Sequence, residues 1–137
     1  MSRRTLDTKQ VVEAAATLAD AEGLDAVTLT QVAEQLGVRQ PALYRHVDSY
    51  DALIRTLGLR GREILATRLG EAAVGLAGDD AVRAMGRAWR AMVREHPGLY
   101  AATDRYPCAG DAELEEAVER VVQVLGQALA AYGLTED

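Results

Sequence analysis

The feature that most restricts the fold is the close spacing of helix start and stop signals between Leu6 and Pro41. Asp7 and Gln10 have the spacing of a capping box, in which each side chain bonds the backbone N–H of the other residue. A first helix is therefore expected to begin after Asp7 and to end at Gly23, since glycine readily adopts the left-handed conformation of a helix stop.

The same start signal recurs at Thr28 and Gln31, and Gly37 provides the next stop, so a second helix spans barely two turns. Pro41 then marks the first turn of a third helix, because the leading N–H groups of a helix have no intrahelical partner to lose. No strand-like alternation persists along the chain, so an all-α fold is predicted. A helix, a short helix, a glycine-containing turn and another short helix form the pattern of a helix-turn-helix.

The third helix is too short to be stable alone, so its neighbours must hold it. Leu43 and Val47, four residues apart, are expected to face the first two helices. The outer side chains are of types that suit duplex DNA, because Gln pairs with adenine, Arg pairs with guanine, and small apolar groups meet the thymine methyl. The side chains left pointing outward are Gln40, Ala42, Tyr44, Arg45 and His46, of which the last three suit phosphate. The alternative is a generic three-helix module with a solvated polar surface.

Several local motifs extend this pattern: a glycine after the first helix, a threonine opening the second, LGV before the turn, and LY followed by a basic residue and His-Val. With them, residues 6–57 resemble the DNA-binding domain of the tetracycline-repressor (TetR) family of bacterial transcriptional regulators. The resemblance implies a third helix in the major groove and a longer fourth helix leading to a ligand-binding, dimerising domain. Carried over by position, the base-facing candidates are Thr30, Gln31, Arg39, Gln40, Pro41 and Ala42, and the phosphate candidates are Thr28, Tyr44 and His46.

Two positions leave alternatives open. Members of the family often carry a phosphate-binding lysine at the start of the fourth helix, where this chain has Tyr50 between acidic residues. The Tyr50 hydroxyl can bond phosphate, but the neighbouring carboxylates oppose it, and Ser49 or Asp48 is expected to cap the helix. The Gln31 side chain either contacts a base or completes a capping box with the Thr28 amide.

We therefore predict a DNA-binding domain over residues 1–50 and a helical regulatory domain over residues 51–137, with about seven helices in all. The fourth helix is expected to run from Tyr50 to about Val74, and Asp79 and Asp80 are expected to cap the fifth. Asp111 is expected to cap a last long helix that Gly133 ends, and Leu134 to Asp137 resemble a further helix start.

The fifth helix sorts its side chains by angle, with four arginines on one face and a Met/Trp/His stripe on the other. Such a stripe is usually interior, which makes core packing the default interpretation. The more specific interpretation is that the stripe lines a ligand pocket, because the resemblance implies a small-molecule effector and Met and Trp adapt to apolar ligands. The ligand-binding candidates are Met85, Trp89, Met92 and His96 on this helix, and Tyr100, Thr103 and Tyr106 in the segment that follows.

Composition narrows the class of protein. The net charge is −6, but residues 1–62 hold 8 basic and 8 acidic residues whereas residues 63–137 hold 7 and 13, so the acidity lies in the second half. A single cysteine, Cys108, cannot form an internal disulfide, and no zinc-ligand spacing is present, so we expect neither a metal nor a cofactor. No stretch approaches a membrane span, which favours a cytoplasmic protein. No general acid/base pair, activated nucleophile or phosphate-binding loop is apparent, so we do not expect an enzyme.

The leading hypothesis is a ligand-responsive repressor that binds a palindromic operator in double-stranded DNA as a homodimer. The alternative is a helical protein-interaction module that has lost DNA binding, which the net charge and Tyr50 would fit. Members of the family pair through two long C-terminal helices, and this chain stops at Asp137. We expect it to be a fragment that is monomeric or weakly self-associating, or else to pair through another surface.

Overall fold

The computed structural model describes residues 5–134, and these residues form seven α-helices with no strand among them. The predicted all-α architecture is confirmed, with a helix-turn-helix followed by a long fourth helix. The helices are α1 Thr8–Glu22, α2 Leu29–Leu36, α3 Gln40–Leu43, α4 Tyr50–Ala73, α5 Gly78–Glu95, α6 Pro97–Arg105 and α7 Ala112–Leu129. Short 3-10 helices cover Leu24–Ala26 and Ala130–Tyr132. The further helix start expected from Leu134 falls mainly on residues 135–137, outside the described residues.

The helix boundaries follow the capping chemistry expected of the sequence. Asp7 accepts a 2.7 Å hydrogen bond from the Gln10 N–H, and the Gln10 side chain accepts one of 2.9 Å from the Asp7 N–H, which completes the capping box of α1. Gly37 ends α2 in the left-handed conformation with a φ of 67°. Asp111 caps α7 by accepting from the Leu114 N–H.

The start of α5 differs from the prediction. Ala77 occupies the N-cap position without a side-chain hydrogen bond, and the helix begins at Gly78. The expectation that Asp79 and Asp80 cap this helix was therefore wrong. Both residues lie within the first turn, where their carboxylates interact favourably with the positive end of the helix dipole.

The described residues group into two compact units. The first comprises the residues up to Gly58 together with Pro97–Tyr106, so α6 belongs to the same unit as the helix-turn-helix. The second comprises Leu59–His96 together with the residues from Pro107 onward, and the division falls inside α4. The functional boundary predicted at residue 50 stays a prediction.

Within the first unit, polar contacts attach α6 to the end of α1. The Asp20 carboxylate accepts hydrogen bonds from the N–H groups of Gly98 at 3.0 Å and Leu99 at 3.1 Å, which serves two of the unpaired donors at the start of α6. At the other end of α6, the Arg105 guanidinium lies 2.6 Å from the Asp25 carboxylate, and this pairing raises the pKa of Arg105. Contacts between residues 78 to 80 positions apart in the sequence thus attach both ends of α6.

The second unit is built from the latter part of α4 with α5 and α7. Its core includes Leu65 and Leu69 from α4, Met85 from α5, and Val121 and Ala128 from α7. An ion pair of 3.8 Å joins Glu63 to Arg120, and the Tyr132 hydroxyl donates to Asp79. Across residues 5–134, none of the helices combines the length and the apolar character that crossing a bilayer requires.

Candidate DNA-binding surface

The inner side of α3 is anchored to the helix-turn-helix core. Leu43 is fully buried and Val47, just beyond the helix, is 8% exposed, as their spacing predicts. The His46 and Val47 N–H groups both bond the Leu43 carbonyl, which continues the turn past the end of α3. The Thr8 hydroxyl donates to the His46 carbonyl at 3.2 Å and thereby joins the start of α1 to this turn. A helix of one turn is held here by burial and by its neighbours.

The outer side of α3, its N-cap residue and the turn that follows it carry the side chains that the sequence singled out. The exposed members are Arg39, Pro41, Tyr44 and Arg45, and the half-buried ones are Gln40, Ala42 and His46. Within residues 5–134, the side chains of Arg39, Tyr44 and Arg45 make no hydrogen bond or ion pair. Two guanidinium groups and a phenol therefore project from a fixed support with their hydrogen-bonding capacity unused by the described part of the protein.

The start of α2 meets the start of α3 through one side-chain pair. The Thr30 hydroxyl donates a 3.0 Å hydrogen bond to the amide oxygen of Gln40. This bond fixes the plane of the Gln40 amide, while the second lone pair of its oxygen and its NH₂ donors stay available. Recognition of an adenine edge needs one acceptor and one donor of an amide, and Gln40 keeps both beside its bond to Thr30.

The hydrogen bonds at the start of α2 distinguish the two interpretations of the Gln31 side chain, a capping box or a base contact. The Thr28 hydroxyl accepts from the Gln31 N–H at 3.1 Å and so caps α2. The reciprocal bond from the Gln31 side chain is not formed among the described residues, in contrast to the complete capping box of α1. The Gln31 side chain is exposed and remains available for a base, and the Thr28 hydroxyl keeps its proton to donate to a phosphate.

Tyr50 is the first residue of α4 and is half-buried. Ser49, one residue earlier, accepts a 3.0 Å hydrogen bond from the Ala52 N–H and acts as the N-cap, which selects Ser49 from the two expected capping residues. Asp48 and Asp51 beside it are exposed. The position where the resemblance implies a phosphate-binding lysine therefore presents a partly covered phenol near two carboxylates.

The ligand-binding candidates fall into both compact units. Tyr100, Thr103 and Tyr106, on or just after α6, are half-buried in the first unit. The other four lie on or at the end of α5 in the second unit: Met85 and Met92 are buried, and Trp89 and His96 are half-buried. Of the seven, Met85 and Trp89 line one cavity together.

The C-terminal end of α5 is a polar part of the second unit. Arg68 donates a 2.6 Å hydrogen bond to the Glu95 carboxylate next to His96, and this contact lowers the pKa of Glu95. No group of three or more His, Cys, Asp or Glu residues in the described range could hold a metal ion.

Comparison with known proteins matches both parts of the chain to one family. Residues 11–57 match the family model of bacterial regulatory proteins of the tetR family, and residues 82–137 match the model of a tetracyclin repressor-like C-terminal domain. The chain is 38% identical over 130 residues to the uncharacterized HTH-type transcriptional regulator Rv0681 of Mycobacterium tuberculosis, covering 94% of this chain and 60% of that protein.

Two further proteins show the same relationship. The HTH-type transcriptional repressor DrrR1 of Streptomyces coeruleorubidus is 33% identical over 122 residues, covering 88% of this chain and 44% of the repressor. The crystal structure of the putative regulatory protein SCO4313 superposes with a TM-score of 0.71 at 26% identity, covering 94% of this chain and 63% of that one. The chain thus spans about half of the length of the curated relatives that it matches.

Proposed function

Since this chain belongs to the TetR family of bacterial transcriptional regulators, we propose that it binds double-stranded DNA in a sequence-specific manner through α3 and the start of α2. The observation that carries the proposal is the contrast between the inner and outer sides of α3 together with its N-cap and the turn after it. Leu43 is fully buried, while Arg39, Tyr44 and Arg45 are exposed with no partner in the described residues. Such a helix can enter the major groove without losing contacts that its own fold needs.

The side chains divide into two roles by position and chemistry. Arg39, Gln40 and Gln31 carry the donors and acceptors that read base edges, and Pro41 and Ala42 supply small apolar surface for a thymine methyl. Phosphate contacts, which set the position of the protein on the duplex, are assigned to Thr28, Tyr44, Arg45, His46 and Tyr50.

The wider proposal is a ligand-responsive repressor of the bacterial cytoplasm. One helix-turn-helix reads only a few base pairs, so two copies on half-sites related by a two-fold axis would supply the specificity of a palindromic operator. A small-molecule effector with different affinities for two states of the protein would change its affinity for DNA. The relative DrrR1 is named a repressor, which supports this direction of control.

The test begins with selection of bound duplexes from a random pool, followed by titration of the selected sequence at several salt concentrations. Sequence-specific binding should survive excess random duplex, and the logarithm of the binding constant should fall with the logarithm of salt by about 0.9 for each phosphate contact. A chain that selects no sequence and binds no duplex at low salt would contradict the proposal and favour the alternative of a helical protein-interaction module.

Substitutions of Arg39 and Tyr44 should separate base contacts from phosphate contacts. Arg39→Ala should cost about 1–3 kcal/mol on the selected site and relax the preference at one base pair, since a bidentate guanine contact is lost. Tyr44→Ala should weaken selected and random duplexes alike, because a phosphate contact is sequence-independent. Equal losses of affinity for both duplexes with Arg39→Ala, measured by fluorescence anisotropy, would reject the assignment of Arg39 to a base.

A further inference from the structure

The second unit contains a half-enclosed cavity of about 200 Å³ between α5 and α7. Met85 and Ala128 are its buried lining residues, 3% and 8% exposed, respectively. Val82 and Leu129 lie at its rim, and each keeps close to two-fifths of its surface exposed. The cavity therefore has a buried apolar floor and an apolar edge that faces solvent.

The lining side chains define the chemistry that the cavity accepts. They are aliphatic except for the Met85 thioether and the Trp89 indole, and none of them carries a charge. A charged ligand would lose its hydration here without gaining a partner, which strongly disfavours ions. Aromatic rings pack well against an indole and against a thioether, so the lining favours a ring-containing molecule over a polar one.

The volume limits the size of the ligand. An apolar cavity of about 150 Å³ can hold benzene, so about 200 Å³ suits one substituted ring. Met92, which shares the sequence stripe with Met85 and Trp89, is fully buried and does not line the cavity. The stripe therefore combines core packing with a cavity wall: Met92 is core alone, whereas Met85 belongs to the core and also lines the cavity.

Gly86 in the middle of α5 also lines the cavity, and a Cβ atom there would meet no atom within 4 Å. Neither its backbone conformation nor close packing requires glycine, since its φ is not positive and space beside it is open. Glycine in the interior of a helix is unfavourable relative to alanine. The lack of a side chain at Gly86 leaves this part of the cavity open to solvent.

We propose that this cavity binds a compact, uncharged molecule built on a single aromatic or alicyclic ring. The inference rests on the proposed function in that such a molecule would be the effector of the regulator. It adds the place of binding, between α5 and α7, and the class of ligand. His96, Tyr100 and Tyr106 do not line this cavity and are not needed for binding to it.

The test uses fluorobenzene as the neutral probe and 4-fluorobenzoate as the charged probe of the same ring size, each followed by ¹⁹F NMR. Fluorobenzene should show a saturable change in shift and linewidth, and 4-fluorobenzoate should show none. Trp89 is the only tryptophan of the chain, so its emission reports directly whether the probe enters this cavity. Absence of a saturable fluorobenzene signal, or equal binding of the two probes, would overturn the proposal.

A pair of glycine substitutions provides the matched control. Gly86→Leu places a side chain in the cavity mouth and should weaken fluorobenzene binding by about tenfold or more, because the apolar surface that the probe buries is already occupied. Gly126→Leu adds the same side chain to α7 at a position that also has open space but does not line the cavity, and it should leave binding unchanged. Equal affinities of the two variants would place the probe elsewhere.

Two further results separate this inference from the proposed function. Saturable, Gly86-dependent binding of fluorobenzene in a chain that selects no duplex would support the cavity and reject the DNA-binding function. Selective DNA binding without any fluorobenzene signal would support the DNA-binding function and reject the proposed ligand of the cavity. If sedimentation shows a dimer that Gly86→Leu dissociates and fluorobenzene does not bind, a second copy occupies the cavity and the small-ligand proposal fails.

Discussion

Gly98→Ala is expected to lower the free energy of unfolding by about 3 kcal/mol, the upper part of the range for an overpacked site. A Cβ atom at Gly98 would lie 2.1 Å from the carbonyl carbon of Ala19 and 2.2 Å from its carbonyl oxygen. Both are backbone atoms of α1, so they cannot move aside as the end of a flexible side chain could. Either α6 must separate from α1, which exposes the buried Leu99 and Ala102, or the backbone must distort.

Gly126→Ala is the control for Gly98→Ala, because a Cβ at Gly126 meets nothing within 4 Å. Alanine should stabilise the interior of α7 by up to about 1 kcal/mol, so the two glycine-to-alanine changes should have opposite signs. Urea unfolding followed by circular dichroism measures both. A Gly98→Ala protein as stable as the wild type would show that α6 does not pack this closely on α1.

Leu43→Ala is expected to have a comparable or larger effect, with a loss of about 2–5 kcal/mol in the free energy of unfolding. Leu43 is completely buried and belongs to a helix of only four residues, so its truncation removes the main attachment of α3 to the core. DNA binding should then fall below detection, because the base-facing side chains lose their fixed orientation.

Tyr44→Ala is the control for Leu43→Ala. It removes a proposed DNA contact next to Leu43 and leaves the attachment of α3 to the core intact. Tyr44 is 52% exposed, so its removal should leave the unfolding midpoint nearly unchanged while DNA affinity falls. If Leu43→Ala keeps both its stability and its DNA affinity, the anchoring role of Leu43 is wrong. Thermal unfolding and anisotropy titration of the two variants make the comparison.

Local chemistry explains why much of the helix-turn-helix could be predicted. The caps at Asp7 and Thr28 act within three residues, and the stop at Gly37 depends on its own φ angle. Helical periodicity predicted that Leu43 of α3 and Val47, just beyond it, face the core, and both residues are buried as expected. Ala77, in contrast, caps α5 although it has no capping side chain, and the sequence contained no signal for it.

Contacts between distant residues were beyond the reach of such reasoning. Nothing near Asp20 indicates that its carboxylate serves the start of α6, 78 and 79 residues further along the chain. The hydrogen bond between Thr30 and Gln40 was likewise not predicted, although both residues were recognised as base-facing candidates.

The sequence by itself determined the seven helices, the exposed side of α3 and the family, because caps, periodicity and turn residues act over a few positions. Only the tertiary structure decided which members of the α5 stripe line a cavity as well as the core, and that α6 packs with the helix-turn-helix. The physical reason is that burial and close packing depend on the residues that other helices bring alongside. Helical periodicity gives the direction of a side chain such as Met85 or Met92, but the shape of the neighbouring helices decides whether an empty space remains beside it.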